Sequence, residues 1–458
     1  MQKRHTLDMT QGSITRLLIS FSVPLMLNKI LDICYNVADK AMLGKFVGDN
    51  AMAAAGVTNA PFNLLYNLIA GFALGALVCC GNYLGARDQK GLRKCMHTSL
   101  VVGMLLGIVV MVLGLIFSRP LLELVQTPPE LMENALVYFR IRFAYTSFLV
   151  CSAFESNSMI AHGDSKRLTL VNSVGGLANV GLNYLFLKVI PIGVAGVALA
   201  TFLSHLLVFL WKTVWLLDPK GEYRLQFSQL RVDRKHAKNV LGVGIPNGLS
   251  NTMFSISNML LQSSVNSFGA LYITANTCAD SVADFINIAY AGFPSACVAA
   301  VSQCYGAHNF DRIKQVIKKS FWIMEVGVVA LDVVVILFAR PLLGLFTKTP
   351  EVVDAGIYKL SFYCIGYLVY TFMQVYMSGL KGIKKSMLAM IANGVGVCLP
   401  RILWVAFVMP KVHDPNMLYA IYPISWIIAS VALGIAFEKT YRSLSRKYGE
   451  DLQLSEAR

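Results

Sequence analysis

Residues Ile19–Lys45 read ISFSVPLMLNKILDICYNVADKAMLGK. The stretch is apolar and longer than the roughly twenty residues that cross a bilayer, yet it carries Asn28, Lys29, Asp32, Asn36 and Asp39. A carboxylate near the centre of a membrane helix costs about 2.5–3.5 kcal/mol on insertion, and this span holds two. Asn28, Asp32, Asn36 and Asp39 are spaced by four, four and three, so a helix gathers them on one face. Pro24 removes a backbone hydrogen bond from the same helix and predicts a kink. A kinked, acid-lined membrane helix predicts an ion-binding element.

The surrounding chain repeats the apolar theme. Of 458 residues, 56% are hydrophobic and only 14% charged, the composition of a polytopic membrane protein. Apolar runs of spanning length recur about twelve times. Their approximate cores are 14–41, 52–81, 95–117, 133–159, 167–190, 193–217, 237–267, 272–304, 319–338, 352–379, 386–409 and 417–439. The net charge of +15 is not a nucleic-acid signature, because Lys and Arg cluster at 87–94, 166–167, 220–238, 312–319, 381–385 and after Lys439. With about twelve spans, all those clusters fall on one side. The positive-inside rule makes that side, and both termini, cytoplasmic. No cleavable signal peptide is expected in MQKRHTLDMTQGSITR. The ten cysteines lie mostly inside predicted spans without paired CxxC spacing and read as core residues.

The chain is written twice, at an offset of about 221 residues. SRPLLELVQTPPEL (Ser118–Leu131) returns as ARPLLGLFTKTPEV (Ala339–Val352), and NYLGARDQKGLRK (Asn82–Lys94) as QCYGAHNFDRIKQ (Gln303–Gln315). Gly71 matches Gly292, HGDSK (His162–Lys166) matches KGIKK (Lys381–Lys385), and Pro24 matches Pro246 as a second helix kink. Such duplications mark secondary transporters with substrate held between the halves. The expected fold is all-α and integral to the membrane: twelve transmembrane helices in two pseudosymmetric six-helix lobes around a central cavity. The expected domains are an N-lobe at 1–218, a basic cytoplasmic connector at 219–236, a C-lobe at 237–440 and a cytoplasmic tail at 441–458.

Four strings make a family resemblance specific: YNVADKAMLGKFVGDNAMAAAG in the first span, SQCYGAHNFDRI at the end of the eighth, and SMIAHGDSKRLTLVNSVGGLANVGLNYLFL and GVAGVALATFLSH across the fourth to sixth. Together they resemble the multidrug and toxic compound extrusion (MATE) family, in its DinF-like branch, over nearly the whole chain. The resemblance implies a role for Asp39 in proton or sodium coupling. It also implies a cation site shared with Asn179, Asn183 and Thr201, in which the branch carries an Asp where this chain has Asn183. An amide coordinates a cation through its oxygen but carries no proton, so Asp32 and Asn36 are the groups expected to supplement the site. Asp32 is expected to pair with Lys29, three residues earlier. No metal is expected apart from a sodium ion near Asp39.

Phe254 and Thr371 stand where the NorM-like branch carries acids, which argues against a sodium site in the C-lobe. Asn28, Tyr35, Asn63, Asp280, Asp284 and Gln374 are the expected substrate-cavity residues, and Asp280 and Asp284, one turn apart, would attract a cation. Among other intramembrane charges, Lys212 is expected to snorkel to the interface beside Glu155. Glu325, Asp332 and Arg401 are expected to form structural ion pairs, and Gly71 and Gly75 form a GxxxG helix-packing pair.

The chain lacks GxxxxGK[ST], HExxH and GxSxG, so neither ATP-driven transport nor hydrolysis is expected. The reading is a non-enzymatic exporter of small organic cations, driven without a cofactor by a proton or sodium gradient. It is expected in a bacterial-type inner membrane, as a lipid-embedded monomer that binds no nucleic acid. A lipid-linked oligosaccharide or polysaccharide flippase is the alternative, and an integral-membrane enzyme or receptor a more distant one. The flippase requires an Arg- and Lys-rich cavity for pyrophosphate, whereas these spans offer more acids.

Overall fold

The computed structural model describes residues 8–218, 224–412 and 414–456. Every regular element among them is helical. The first half contains α1 (Ile14–Phe46), α2 (Asp49–Val57), α3 (Asn59–Gly85), α4 (Gln89–Leu124), α5 (Pro129–Ala144), α6 (Thr146–Ala161), α7 (Ser165–Tyr184) and α8 (Val194–Leu217). The second contains α9 (Arg234–Asn266), α10 (Ala270–Gly306), α11 (Phe310–Leu337), α12 (Ala339–Gly344), α13 (Pro350–Gly382), α14 (Ser386–Asn393), α15 (Leu399–Leu403) and α16 (Pro415–Glu456). Short π-helical segments at Leu185–Val189, Gly394–Cys398 and Trp404–Val408 extend α7, α14 and α15.

Ten of the resulting helices are long and apolar enough to cross a membrane. Two of the expected spans fall outside that set for local reasons. The span at 133–159 is broken at Tyr145 into α5 and α6. The helix covering 237–267 is α9, whose PNGLSNTMFSISN segment is too polar to register as a span. The run expected at 52–81 is likewise two helices, α2 and α3, meeting at Thr58.

The duplication is visible in local structure. Arg87 and His308 both take the unusual φ of 54°, and the next residues, Asp88 and Asn309, both cap a helix by accepting a backbone N–H. Gly163 and its counterpart Lys384 also share positive φ. Pro129 and Pro350 each open a helix at its first turn, where a missing N–H costs nothing.

The chain forms two compact units, one built on Val23–Gly248 and the other on Met9–Ser22 together with the chain from Leu249. The division therefore differs from a cut at 219–236. The two borders that fall inside a continuous helix lie beside a proline, Pro24 in α1 and Pro246 in α9. Proline removes one i→i−4 hydrogen bond, so these are the positions at which each helix can pass from one packing environment to another. In the first unit, Gly71 and Gly75 of α3 meet Gly248 and Val240 of α9 backbone to backbone, as the GxxxG pair predicts. In the second, Gly292 of α10 stands in the same way against Ser22 of α1. α16 runs from Pro415 through Glu456, across the border expected at 440.

Candidate functional site

One face of α7 carries the contacts that fix α1. The Thr169 hydroxyl donates to the Pro24 carbonyl at 2.8 Å, and the Tyr35 hydroxyl donates to the Ser173 carbonyl at 2.9 Å. The Tyr35 ring occupies the space that a Cβ on Gly176 would need. Tyr35, expected to line a substrate cavity, is thus a clamp between two helices. One turn beyond Gly176 the same face presents Asn179, and the next turn Asn183.

Here four of the six expected coupling residues come together. The Asn183 amide nitrogen donates to Asp39 Oδ1, and also to Asn179 Oδ1 at 3.2 Å. Asn179 donates in turn to Thr201 Oγ1 of α8 at 3.4 Å, and Thr201 donates to the Val197 carbonyl at 2.9 Å. Both acceptors facing Asn183 are oxygens, so its nitrogen must point at them. Its own Oδ1 is then left buried without a hydrogen-bond partner, in a residue with no exposed surface. A buried amide oxygen in that state is a waiting ligand for a cation or a proton donor. Among the described residues no cluster of three or more His, Cys, Asp or Glu is available to a metal, so the oxygen set offers one formal negative charge, on Asp39.

The sequence did not single out Arg142 of α5 for this site. Its charge acts on Asp39, and its guanidinium donates to Asn59 Oδ1 at 2.8 Å while lying 3.8 Å above the Phe62 ring. An Arg inside an apolar run was the available signal, since such a charge requires partners. Lys29 and Lys212 are the cations that act on Asp32. The side chain of Asn36 lies outside the described residues.

Other expectations need correction. Lys212 does not snorkel. It is 3% exposed and donates to Ser152 and Ser156 at 3.0 and 2.9 Å, on the helix that also buries Glu155, whose Oε1 accepts from Thr213 at 2.6 Å. Protein hydroxyls here replace the interface that the long side chain would otherwise reach. In the second unit, Asp280 is no open attractor for a cation: Lys359, fully buried, bonds to it and to Asn276 Oδ1 at 2.6 Å. Asp284 and Asn63 are exposed, Gln374 donates to the Tyr370 hydroxyl at 2.5 Å, and Asn28 Oδ1 is buried without a partner. Glu325, Asp332 and Arg401 do not pair with one another. Arg401 bonds to Asn258 and Ser425, and both Asp332 carboxylate oxygens lack a hydrogen-bond partner.

A duplicated bundle of apolar helices, with polar side chains buried between helices of its first half, defines a multi-pass membrane transporter. The MatE family model matches residues 24–185 and 246–405, one block in each half. The chain belongs to the MatE family of multidrug and toxic compound extrusion transporters. The probable multidrug resistance protein YoeA of Bacillus subtilis is 27% identical over 351 residues, covering 75% of each chain. The multidrug export protein MepA of Staphylococcus aureus is 22% identical over 422 residues, 91% of this chain and 90% of MepA. A crystal structure of MATE in the bent conformation superposes with a TM-score of 0.89 at 21% identity, over 98% of this chain and 99% of that one. The fold is theirs. Membership of this family makes the protein a transporter rather than an enzyme.

Proposed function

We propose that this protein is a secondary active exporter of small organic cations, driven by inward movement of protons or sodium ions bound at Asp39. The observation that carries the reading is the hydrogen-bonded row Asp39–Asn183–Asn179–Thr201, with its one carboxylate and one unpartnered amide oxygen. An oxygen set of that kind fits a singly charged ion. In the proton case Asp39 is the group that takes up and releases it, because the Asn183 amide cannot. In the sodium case Asp39, Asn183 Oδ1 and Thr201 Oγ1 are the oxygens that would hold the ion. Each inward unit charge supplies about 2.3 kcal/mol per 100 mV of membrane potential. Coupling requires that ion and substrate favour different states of the protein, since equal binding to both shifts nothing. Pro24 lies in the same helix as Asp39 and gives that helix a place to respond. The proposed setting is a bacterial-type cell membrane, with the protein monomeric and both termini cytoplasmic.

The test is efflux of cationic dyes from vesicles under imposed pH or sodium gradients. Asp39→Asn keeps the hydrogen-bonding shape and removes the charge, so it is expected to abolish gradient-driven efflux while the protein still folds and binds dye. Full gradient-driven efflux in Asp39→Asn would refute the assignment.

A further inference from the structure

Arg401 heads the largest fully buried side chains of the second unit, with no exposed surface. Its Nε donates to Ser425 Oγ at 3.2 Å and its Nη1 to Asn258 Oδ1 at 2.6 Å, whereas Nη2 has no partner. Rings of Phe254, Tyr422 and Trp426 stand 5.2, 5.0 and 5.9 Å from the guanidinium carbon. The phenols of Tyr422, Tyr363 and Tyr370 and the thiol of Cys398 face it, and among the described residues no carboxylate lies within ion-pair distance of its guanidinium. Lys359, the other fully buried cation of this unit, has Asp280 as its counter-ion. Arg401 has none.

A buried lysine can lose its proton, but a guanidinium cannot. Ring quadrupoles and neutral oxygens offset part of the cost of burying it and leave the net charge in place. The surroundings are moreover rich in unmet donors. Trp426 Nε1 and the Tyr419 hydroxyl are also buried without partners. Tyr419, Tyr422 and Trp426 follow one another on α16 at spacings of three and four, hence on one face. Donors in excess, one uncompensated positive charge and complete enclosure define the missing ligand: small, singly negative and able only to accept hydrogen bonds.

The position within the repeat supports this reading. Asn258 is the counterpart of Asn36, and Tyr422 of Thr201, at the offset of about 221. The Arg401 cluster thus occupies in the second unit the helices equivalent to those that build the Asp39 cluster in the first, with the sign of the charge reversed. We infer that Arg401 Nη2 and Trp426 Nε1 bind a small monovalent anion, a halide or a formate-sized carboxylate, within the second unit. The inference is independent of whether Asp39 couples transport.

The experiment uses the full chain, purified in detergent in sodium gluconate. Chloride, bromide or formate replaces gluconate at constant sodium concentration while the thermal unfolding midpoint is followed. A saturable rise in wild type is expected, since a ligand bound to the native state alone stabilises it. Trp426→Phe keeps the packing and removes one donor, and is expected to need at least about tenfold more anion. Arg401→Lys, which keeps the charge but not the planar fork, is expected to do likewise, and Arg401→Met to show no response. A halide response identifies the ligand class as halide and a formate response as carboxylate; either supports the site. No anion-specific rise in wild type, or an equal rise in Trp426→Phe and Arg401→Lys, would overturn it.

Discussion

The contact between α3 and the first turns of α9 permits a prediction with a worked magnitude. In Gly71→Ala, the new Cβ would lie 2.2 Å from Gly248 Cα, 2.3 Å from Gly248 N and 2.8 Å from the Asn247 carbonyl carbon. Nonbonded carbons settle at about 3.5–4.0 Å, so the helices must separate locally by more than about 1 Å. That movement stretches the bond from Asn247 Nδ2 to the Gly71 carbonyl, now 3.2 Å, beyond hydrogen-bonding range. Asn247 is 3% exposed and its Oδ1 is already without a partner, so little else is at hand to satisfy the amide. Overpacking costs about 1–3 kcal/mol, and a newly unsatisfied buried group about 1–3 kcal/mol. The better helix propensity of alanine returns about 1 kcal/mol. The net is a destabilisation of about 1–5 kcal/mol, concentrated beside Pro246. Thermal unfolding of the purified protein, followed by size-exclusion of the surviving monodisperse fraction, reads this directly. Gly181→Ala is the control, because nothing lies within 4 Å of its Cβ position. Equal midpoints for wild type, Gly71→Ala and Gly181→Ala would refute the close-packing argument.

Two further outcomes follow from the ion pairs. Asp280→Asn strands a fully buried Lys359, whereas Lys359→Met removes the buried charge and leaves Asp280, 47% exposed, in contact with solvent. Asp280→Asn is therefore expected to cost about 3 kcal/mol and Lys359→Met clearly less; equal losses in thermal midpoint would show that the asymmetry of burial is immaterial. Ahead of α9, the His236 imidazole and then the backbone N–H groups of His236 and Lys235 hold the Asp233 carboxyl down to about 2. A depressed carboxyl contributes stability above its ordinary pKa that is lost as pH falls through its folded value. Asp233→Asn should thus lower the thermal midpoint at pH 5 and converge with wild type between pH 4 and pH 2, and a difference independent of pH would contradict this. In the efflux assay, Asp39→Asn remains the decisive variant for coupling.

Much of the architecture was legible in the chain itself. Span length and apolar composition mark the membrane helices, and the echo of SRPLL in ARPLL and of GARDQ in GAHNF marks the duplication. Backbone chemistry is local: an Asn or Asp after a left-handed residue caps a helix wherever it occurs, which is why Asp88 and Asn309 do the same work. The row of polar residues in the first span was legible for the same reason, because helical periodicity alone puts Asp39 and Asp32 near one face.

Tertiary structure decided which of those polar groups meet. Asp39 finds Asn183, Asn179 and Thr201 because α7 offers a matching face, whereas the cations acting on Asp32 are Lys29 of its own helix and Lys212 of α8. Nothing local to Asp280 reveals that Lys359, 79 residues away, will neutralise it. Nor does the run around Arg401 disclose that no described carboxylate will pair with it. Helical spans follow from properties each residue carries by itself. Charge compensation depends on what another helix brings within a few ångströms, and there Asp280 gained a partner that Arg401 did not.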